Sequence, residues 1–181
     1  MTEAAAVLFS PMRVVLMGVS GCGKSTVGEG LAARMGWRFV EGDSLHPTEN
    51  VAKMAAGQPL DDADRAGWLT TLADLLDTAR QDGQGLVVSC SALKRAYRDR
   101  LRTGDPQAVF VHLDGSRDVI AERIAGRTHM YMPASLLESQ FAALELPQAD
   151  EQALTLSVLQ PPAELIRNIA QHLQAQTCPT P

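Results

Sequence analysis

Arg13-Val14-Val15-Leu16-Met17, followed directly by Gly18-Val19-Ser20-Gly21-Cys22-Gly23-Lys24-Ser25, is the stretch from which the fold can be read. The first five residues are mostly apolar and partly β-branched, as in a short strand buried on both faces. The next eight match G-x-x-x-x-G-K-[ST] in full. Glycines at these places let the backbone turn tightly and aim successive N–H groups inward, forming an anion nest at a helix N-terminus. Lys24 has the reach to meet the β- and γ-phosphates of a nucleotide, and the Ser25 hydroxyl is an oxygen ligand suited to Mg²⁺. Gly18, Ser20, Gly21, Cys22, Gly23, Lys24, Ser25 and the adjoining Thr26 are therefore the expected ATP-binding residues. Cys22 is counted among them as a small loop residue, without thiol chemistry. Beyond the loop, Val27, Leu31 and Met35 recur at a spacing of four, a helical stripe that Gly36 closes.

Working outward, Trp37–Glu41 reads as a second strand ending at Gly42-Asp43. Residues Ser44–Asp64 are polar and irregular, with room for a helix at Asn50–Ala56. Trp68, Leu69, Leu72, Leu75, Leu76 and Ala79 then recur at helical spacing. Gly85–Ser89, Ala108–Leu113 and Leu154–Val158 read as further strands. Helices are expected at Ala92–Leu101, Asp118–Ile124, Ser135–Leu144 and Ala163–His172. Strands alternating with helices predict an α/β fold: a parallel sheet with helices on both faces. No internal repeat, low-complexity segment or linker divides the chain, so residues 1–181 are expected to form one domain, with 1–11 a disordered tail.

Composition narrows the function. A chain of 181 residues that is 45% hydrophobic suits a single core. The formal net charge of −5 argues against general attraction to nucleic acid or anionic membranes. No apolar run approaches the ~18 residues that cross a bilayer. The start, MTEAAAVLFSP, carries Glu3 and no basic region, unlike a secretory signal. Cys22, Cys90 and Cys178 are far apart and form no C-x-x-C pair, which fits a reducing cytoplasm.

Among nucleotide-binding loops, a guanine-nucleotide switch would carry N-K-x-D, which this sequence lacks. Asp64-Arg65-Ala66-Gly67 fits D-x-x-G only formally, because it lies between a loop and a helix. The third strand ends in Ser89-Cys90-Ser91, with no acidic residue to serve a metal. Asp43, after the second strand, is the natural replacement, since strand carboxyl ends face the ligand crevice in such sheets. It suits a base for an acceptor hydroxyl, an organiser of Mg²⁺ together with Ser25, or both; a helix-capping or turn residue is the plainer alternative. This points to a small-molecule phosphotransferase.

Four blocks resemble the gluconokinase family, of the thermoresistant bacterial type. They are GVSGCGKSTVG (Gly18–Gly28), GDSLHPTENVAKMAAGQPLDDADRAGWL (Gly42–Leu69), VVSCSALKRAYRDRLR (Val87–Arg102) and LLESQFAALELPQADE (Leu136–Glu151). The resemblance implies ATP-dependent phosphorylation of D-gluconate at its 6-hydroxyl. It further implies a P-loop fold like that of nucleoside monophosphate and shikimate kinases, with five parallel strands and a mobile lid near residues 123–134. Homodimers are usual in the family.

Gluconate is a carboxylate bearing a row of hydroxyls, so its site needs cations at one end and hydrogen-bond partners along the rest. His46, Asn50, Lys53, Arg65, Lys94 and, further into the basic helix, Arg98 are the candidates. Arg65 suits a bidentate clamp on the carboxylate; a surface residue paired with Asp61 or Asp62 is its alternative role. For His46 the alternative is packing beside Pro47. In the expected lid, Arg123 and Arg127 are one turn apart and suited to the phosphoryl group in transfer; family analogy instead stacks Arg123 on adenine near Gln160-Pro161. The segment Arg127–Pro133 departs from the family's R-x-x-H-F-M-P in the place of its histidine, so His129 is given no role. Gln140 and Glu145 suit either a substrate contact or the fixing of the lid helix, with the structural role preferred. The competing functions are a kinase of the same architecture acting on another hydroxy-acid, such as shikimate, and a non-catalytic ATP-binding module.

Overall fold

β1 (Arg13–Met17) is buried along its whole length and is the middle strand of the sheet. The computed structural model describes residues 10–126 and 134–177. The remaining strands are β2 (Arg38–Glu41), β3 (Leu86–Ser89), β4 (Val109–Asp114) and β5 (Leu154–Ser157). Their order is β2-β3-β1-β4-β5, and every neighbouring pair is parallel. The sheet is thus the expected one, with strand ends within one or two residues of the expected positions.

Seven helices are described: α1 (Lys24–Met35), α2 (Thr48–Ala55), α3 (Asp62–Gln81), α4 (Arg95–Arg102), α5 (Arg117–Ala125), α6 (Ala134–Ala143) and α7 (Pro162–Thr177). Because side chains alternate across a strand, β1 feeds two cores. Val14 and Leu16 pack with Leu31 of α1 and with Leu165 and Ile169 of α7. Val15 and Met17 pack on the opposite face with Trp68, Leu72 and Leu76 of α3 and Leu101 of α4. Among the described residues no helix is long and apolar enough to cross a membrane.

α3 begins six residues before its first buried residue. Asp61 and Asp64 form a reciprocal capping box there: each carboxylate accepts from the other's backbone N–H at 2.8 Å. Arg65 and Asp64 are therefore first-turn helix residues, in keeping with the reading of D-x-x-G as coincidence.

One expected site residue is part of the frame. Arg98 is fully buried and grips Glu151 with two hydrogen bonds, Nε to Oε2 at 2.5 Å and Nη2 to Oε1 at 2.8 Å. Its Nη1 donates to the carbonyls of Ala92, Leu93 and Glu145. With its donors committed in this way, Arg98 is not a substrate ligand, and the expectation that it faces the crevice is corrected. An unpaired guanidinium would be costly to bury, so the helix face turned to the core carries a cation only because Glu151 meets it there.

The hydrogen bonds from Arg98 hold the Glu151 carboxyl down to about 2 from an ordinary 4.5, with burial opposing them. A carboxylate with a depressed folded-state pKa stabilises the fold above its unfolded value and loses that contribution as pH falls toward its folded value. Glu151→Gln is therefore expected to cost about 3–5 kcal/mol at neutral pH, the usual penalty for stranding one member of a buried pair. In urea titrations its deficit against the parent should shrink between pH 4.5 and about 2.

Candidate active site

The phosphate loop leaves β1 at Gly18 and enters α1 at Lys24, so its N–H groups lie at a helix N-terminus as the motif requires. Its first N–H, from Gly18, donates to the Ser91 carbonyl at 3.2 Å, tying the loop to the chain beyond β3. Lys24 is buried and folded back, donating to the carbonyls of Gly18 and Val19 at 3.0 Å each. Ser20, Gly21, Gly23 and Lys24 line a pocket of about 350 Å³, together with Ser25 and Thr26 of α1 and two carboxylates, Glu41 and Asp43. Gly18 and Cys22, expected beside them, do not line it: Gly18 makes the turn out of β1, and the Cys22 side chain is buried in the core.

Glu41 was not anticipated among the site residues. It ends β2, directly across the ladder from Ser89, and its carboxylate accepts from the Ser89 hydroxyl. That hydroxyl in turn accepts from the Gly42 N–H at 3.1 Å. Ser89 occupies the strand end from which a metal-serving acid is missing, and the acid stands one strand away. The signal was present in Glu41-Gly42-Asp43, where the alternate residues at a strand end are both acidic.

Ser25, Glu41 and Asp43 offer hydroxyl and carboxylate oxygens to a single pocket, a donor set that suits Mg²⁺. Among the described residues no group of three or more His, Cys, Asp or Glu side chains could hold a metal by itself. Such a sparse set fits Mg²⁺, which commonly binds through one or two carboxylates plus substrate phosphates.

A second pocket, of about 460 Å³, adjoins the first and shares Ser20, Lys24 and Asp43 with it. Its walls come from α2 (Val51, Met54, Ala55), the Pro59-Leu60 turn, Arg65 of α3, and Leu136, Ser139 and Gln140 of α6. His46 lines it as well, stacked on Trp68 with ring centroids 4.0 Å apart, so it packs and faces the pocket at once. The Asn50 amide nitrogen is identified by its 2.7 Å hydrogen bond to the Asp64 carbonyl, and it also meets His46 Nδ1 at 3.3 Å. An amide nitrogen can only donate, so Nδ1 accepts and the ring proton resides on Nε2.

The expected cations divide into two groups. Arg65 lines the second pocket, and among the described residues no carboxylate lies within ion-pairing distance of it; its guanidinium stands 5.7 Å from the Tyr97 ring centre. Lys53 instead meets Asp64 at 2.5 Å, and Lys94 meets Asp62 at 2.7 Å. These pairs raise both lysine pKa values and lower those of both aspartates. Neither lysine lines the two pockets, so the structure does not bring Lys53 and Lys94 to the crevice with Arg65. Arg123 is also outside both; its guanidinium donates to the Val158 carbonyl, at the end of β5. Arg127 and His129 lie outside the described residues, as do most of the expected lid and most of the expected tail.

The shikimate kinase family model matches residues 20–173. A gluconokinase of Gluconobacter oxydans is 49% identical over 166 residues, covering 92% of this chain and 93% of that protein. The chain belongs to the gluconokinase family. The thermoresistant gluconokinase of Escherichia coli is 43% identical over 148 residues, with 81% of this chain and 85% of that one covered. The crystal structure of a gluconokinase from Sinorhizobium meliloti superposes with a TM-score of 0.82 at 44% identity, over 94% of this chain and 99% of that one.

Burial lowers the His46 pKa, opposed by the Asp43 charge and assisted by that of Arg65. The ring is therefore neutral at pH 7, and its contribution to stability falls as pH drops below 6.5, where the unfolded chain takes up the proton first. Proton NMR should find its midpoint below 6.5, shifted further down by Asp43→Asn and upward by Arg65→Gln.

Proposed function

We propose that the chain transfers the γ-phosphoryl group of ATP to the 6-hydroxyl of D-gluconate, giving 6-phospho-D-gluconate and ADP. One observation carries this reading: the phosphate-loop pocket and the neighbouring pocket meet at Ser20, Lys24 and Asp43. A nucleotide in the first and a polyol acid in the second place the γ-phosphorus and the attacking oxygen on either side of that junction.

Asp43 lines both pockets, which suits it to accept the proton of the acceptor hydroxyl as the new O–P bond forms. The bond from phosphorus to the β–γ bridging oxygen breaks, and the electron pair leaves with ADP. Lys24 exchanges its two loop carbonyls for phosphate oxygens. Bound Mg²⁺ neutralises charge on the phosphates, and Ser25 with Glu41 and Asp43 would hold it. Arg65, which has no carboxylate partner among the described residues, receives the gluconate carboxylate as a planar fork. The Nε2–H of His46 serves a hydroxyl along the chain. Its hydrogen bond to Val158 favours Arg123 as an adenine-side residue, leaving Arg127 as the arginine for the transferring group. A homodimer and a cytoplasmic location belong to the same reading, carried by the family resemblance.

The test is coupled ADP release with ATP-Mg²⁺, comparing D-gluconate, shikimate, glucose and no acceptor. ADP release that requires gluconate is expected. Asp43→Asn should lower kcat by ~10²–10⁴, and Arg65→Ala should raise the gluconate KM roughly 10- to 100-fold. Equal slow release in every tube would leave the phosphate loop intact as an ATP site and remove the acceptor assignment. Release specific to shikimate would favour the other hydroxy-acid kinase.

A further inference from the structure

Gln140 reaches from the wall of the second pocket to the phosphate loop, and of the two roles its sequence position allowed, a substrate contact and the fixing of α6, the structure brings both within one side chain. Its Oε1 accepts from the backbone N–H of Ser20 at 2.6 Å, a contact between the third residue of the phosphate loop and a side chain 120 positions away. It also lines the second pocket, together with Leu136 and Ser139 of the same helix. Because an N–H donates only to the oxygen, the Ser20 contact fixes which way the amide lies. The amide NH₂ must then be directed away from Ser20.

The helix that presents Gln140 is firmly seated. Leu137 is buried in the core shared with α1 and α7, and Phe141 packs against that core. Glu138 pairs with Arg117 of α5 at 2.7 Å. Just beyond α6, the Glu145 N–H donates to the Leu93 carbonyl at 2.8 Å. The Glu145 carboxylate accepts from the Arg95 N–H at 2.7 Å, and its carbonyl accepts from Arg98. Gln140 thus reaches the phosphate loop from a helix packed on the core and tied just beyond its end to the start of α4, which suits a group that must hold a fixed distance.

We propose that Gln140 is a positioning residue for the transfer. Its oxygen registers α6 against the phosphate loop, and its NH₂ donates to a hydroxyl of the acceptor, so the acceptor chain is held at a set distance from the loop. Lys24 and Asp43 act at the reacting atoms; Gln140 acts beside them, on a part of the acceptor that does not react. The chemical class this selects is a polyol acid with a hydroxyl acceptor within reach of α6. An acceptor lacking that hydroxyl gains nothing from the contact.

This rests on the function proposed above. The experiment measures separate KM values for gluconate and ATP, kcat, and melting temperature for the parent, Gln140→Ala and Gln140→Glu. Both replacements are good helix formers. Glutamate keeps an oxygen for the Ser20 N–H but cannot donate. Both variants are expected to lose about ten-fold in kcat/KM for gluconate, the usual scale for one hydrogen bond with a polar partner stranded. Gln140→Glu should keep the parental melting temperature, since it preserves the bond to the loop. In a series of monodeoxy gluconates, one member should show no further loss on going from parent to Gln140→Ala. An ATP KM that rises as much as the gluconate KM, full gluconate activity in Gln140→Glu, or no change in either variant would overturn the proposal. A parent chain that releases no ADP with gluconate would instead overturn the functional reading, and with it the acceptor named here.

Discussion

Gly18 has φ +137°, and a Cβ built on it would lie 2.8 Å from the Leu113 carbonyl oxygen and 2.9 Å from Cys22 Sγ. No side chain fits there, and the backbone conformation is one that side chains rarely adopt. The constraint follows from topology. β1 lies between β3 and β4, so a chain leaving its carboxyl end must turn across β4 while its N–H reaches the carbonyl of Ser91 beyond β3. This tight exit carries the next residues over the strand ends, where Ser20, Gly21 and Gly23 line the phosphate-side pocket. The turn is therefore set before any phosphate arrives, while Lys24 and the Ser20 N–H hold internal partners, the Gly18 and Val19 carbonyls and Gln140 Oε1.

Charge around the second pocket is governed by the first turn of α3. Asp62 and Asp64 are placed there by helix-capping chemistry, and each engages a lysine from another element. Pairs this exposed are worth little to stability, so their consequence is local. They cancel two positive charges near the pocket mouth and leave Arg65 as the cation on the α3 side. A site that neutralised every cation would not attract a carboxylate; one with all three free would bind anions of many shapes. A single guanidinium fork selects by geometry as well as charge.

The sheet was legible in the sequence because its signals are local: short β-branched runs, glycine punctuation, and the full phosphate-loop motif. The frame around the site was less so. α4 reads from its sequence as a basic helix that offers Arg98 to the crevice, yet that arginine is wholly inside. Nothing within the helix marks Arg98 as different, because the deciding partner, Glu151, is 53 residues away. Likewise Lys53 and Lys94 have the right charge and the right neighbourhood, and only the placement of Asp62 and Asp64 shows that they are taken. Hydrophobic periodicity located α3 from Trp68 onward and missed its polar opening turn, since a cap of two aspartates buries nothing. Ser20, Gly21, Gly23, Lys24, Ser25, Thr26 and Asp43 do line the phosphate-side pocket, because local topology fixes where they stand, whereas Gly18 and Cys22 of the same motif do not.

The missing acid of β3 shows how far the site depends on neighbouring strands rather than single positions. Adjacent strands lie about 4.8 Å apart, so an acid displaced to the register partner stays within one hydroxyl's reach of its usual place. Ser89 is that hydroxyl, bonded both to the Glu41 carboxylate and to the Gly42 N–H. A Cβ on Gly42 would come within 2.0 Å of the Ser89 carbonyl oxygen, so the approach of the two strands requires glycine between the two acids. The Gly42 carbonyl then accepts from the Trp68 indole at 2.7 Å, and Trp68 carries the stacked His46 on the wall of the second pocket. Five residues in contact, Glu41, Ser89, Gly42, Trp68 and His46, thus run from the phosphate-side pocket to the second pocket. A bulkier residue at position 42 would disturb both pockets together, because the strand separation that sets Glu41 also sets the height of the Trp68–His46 stack.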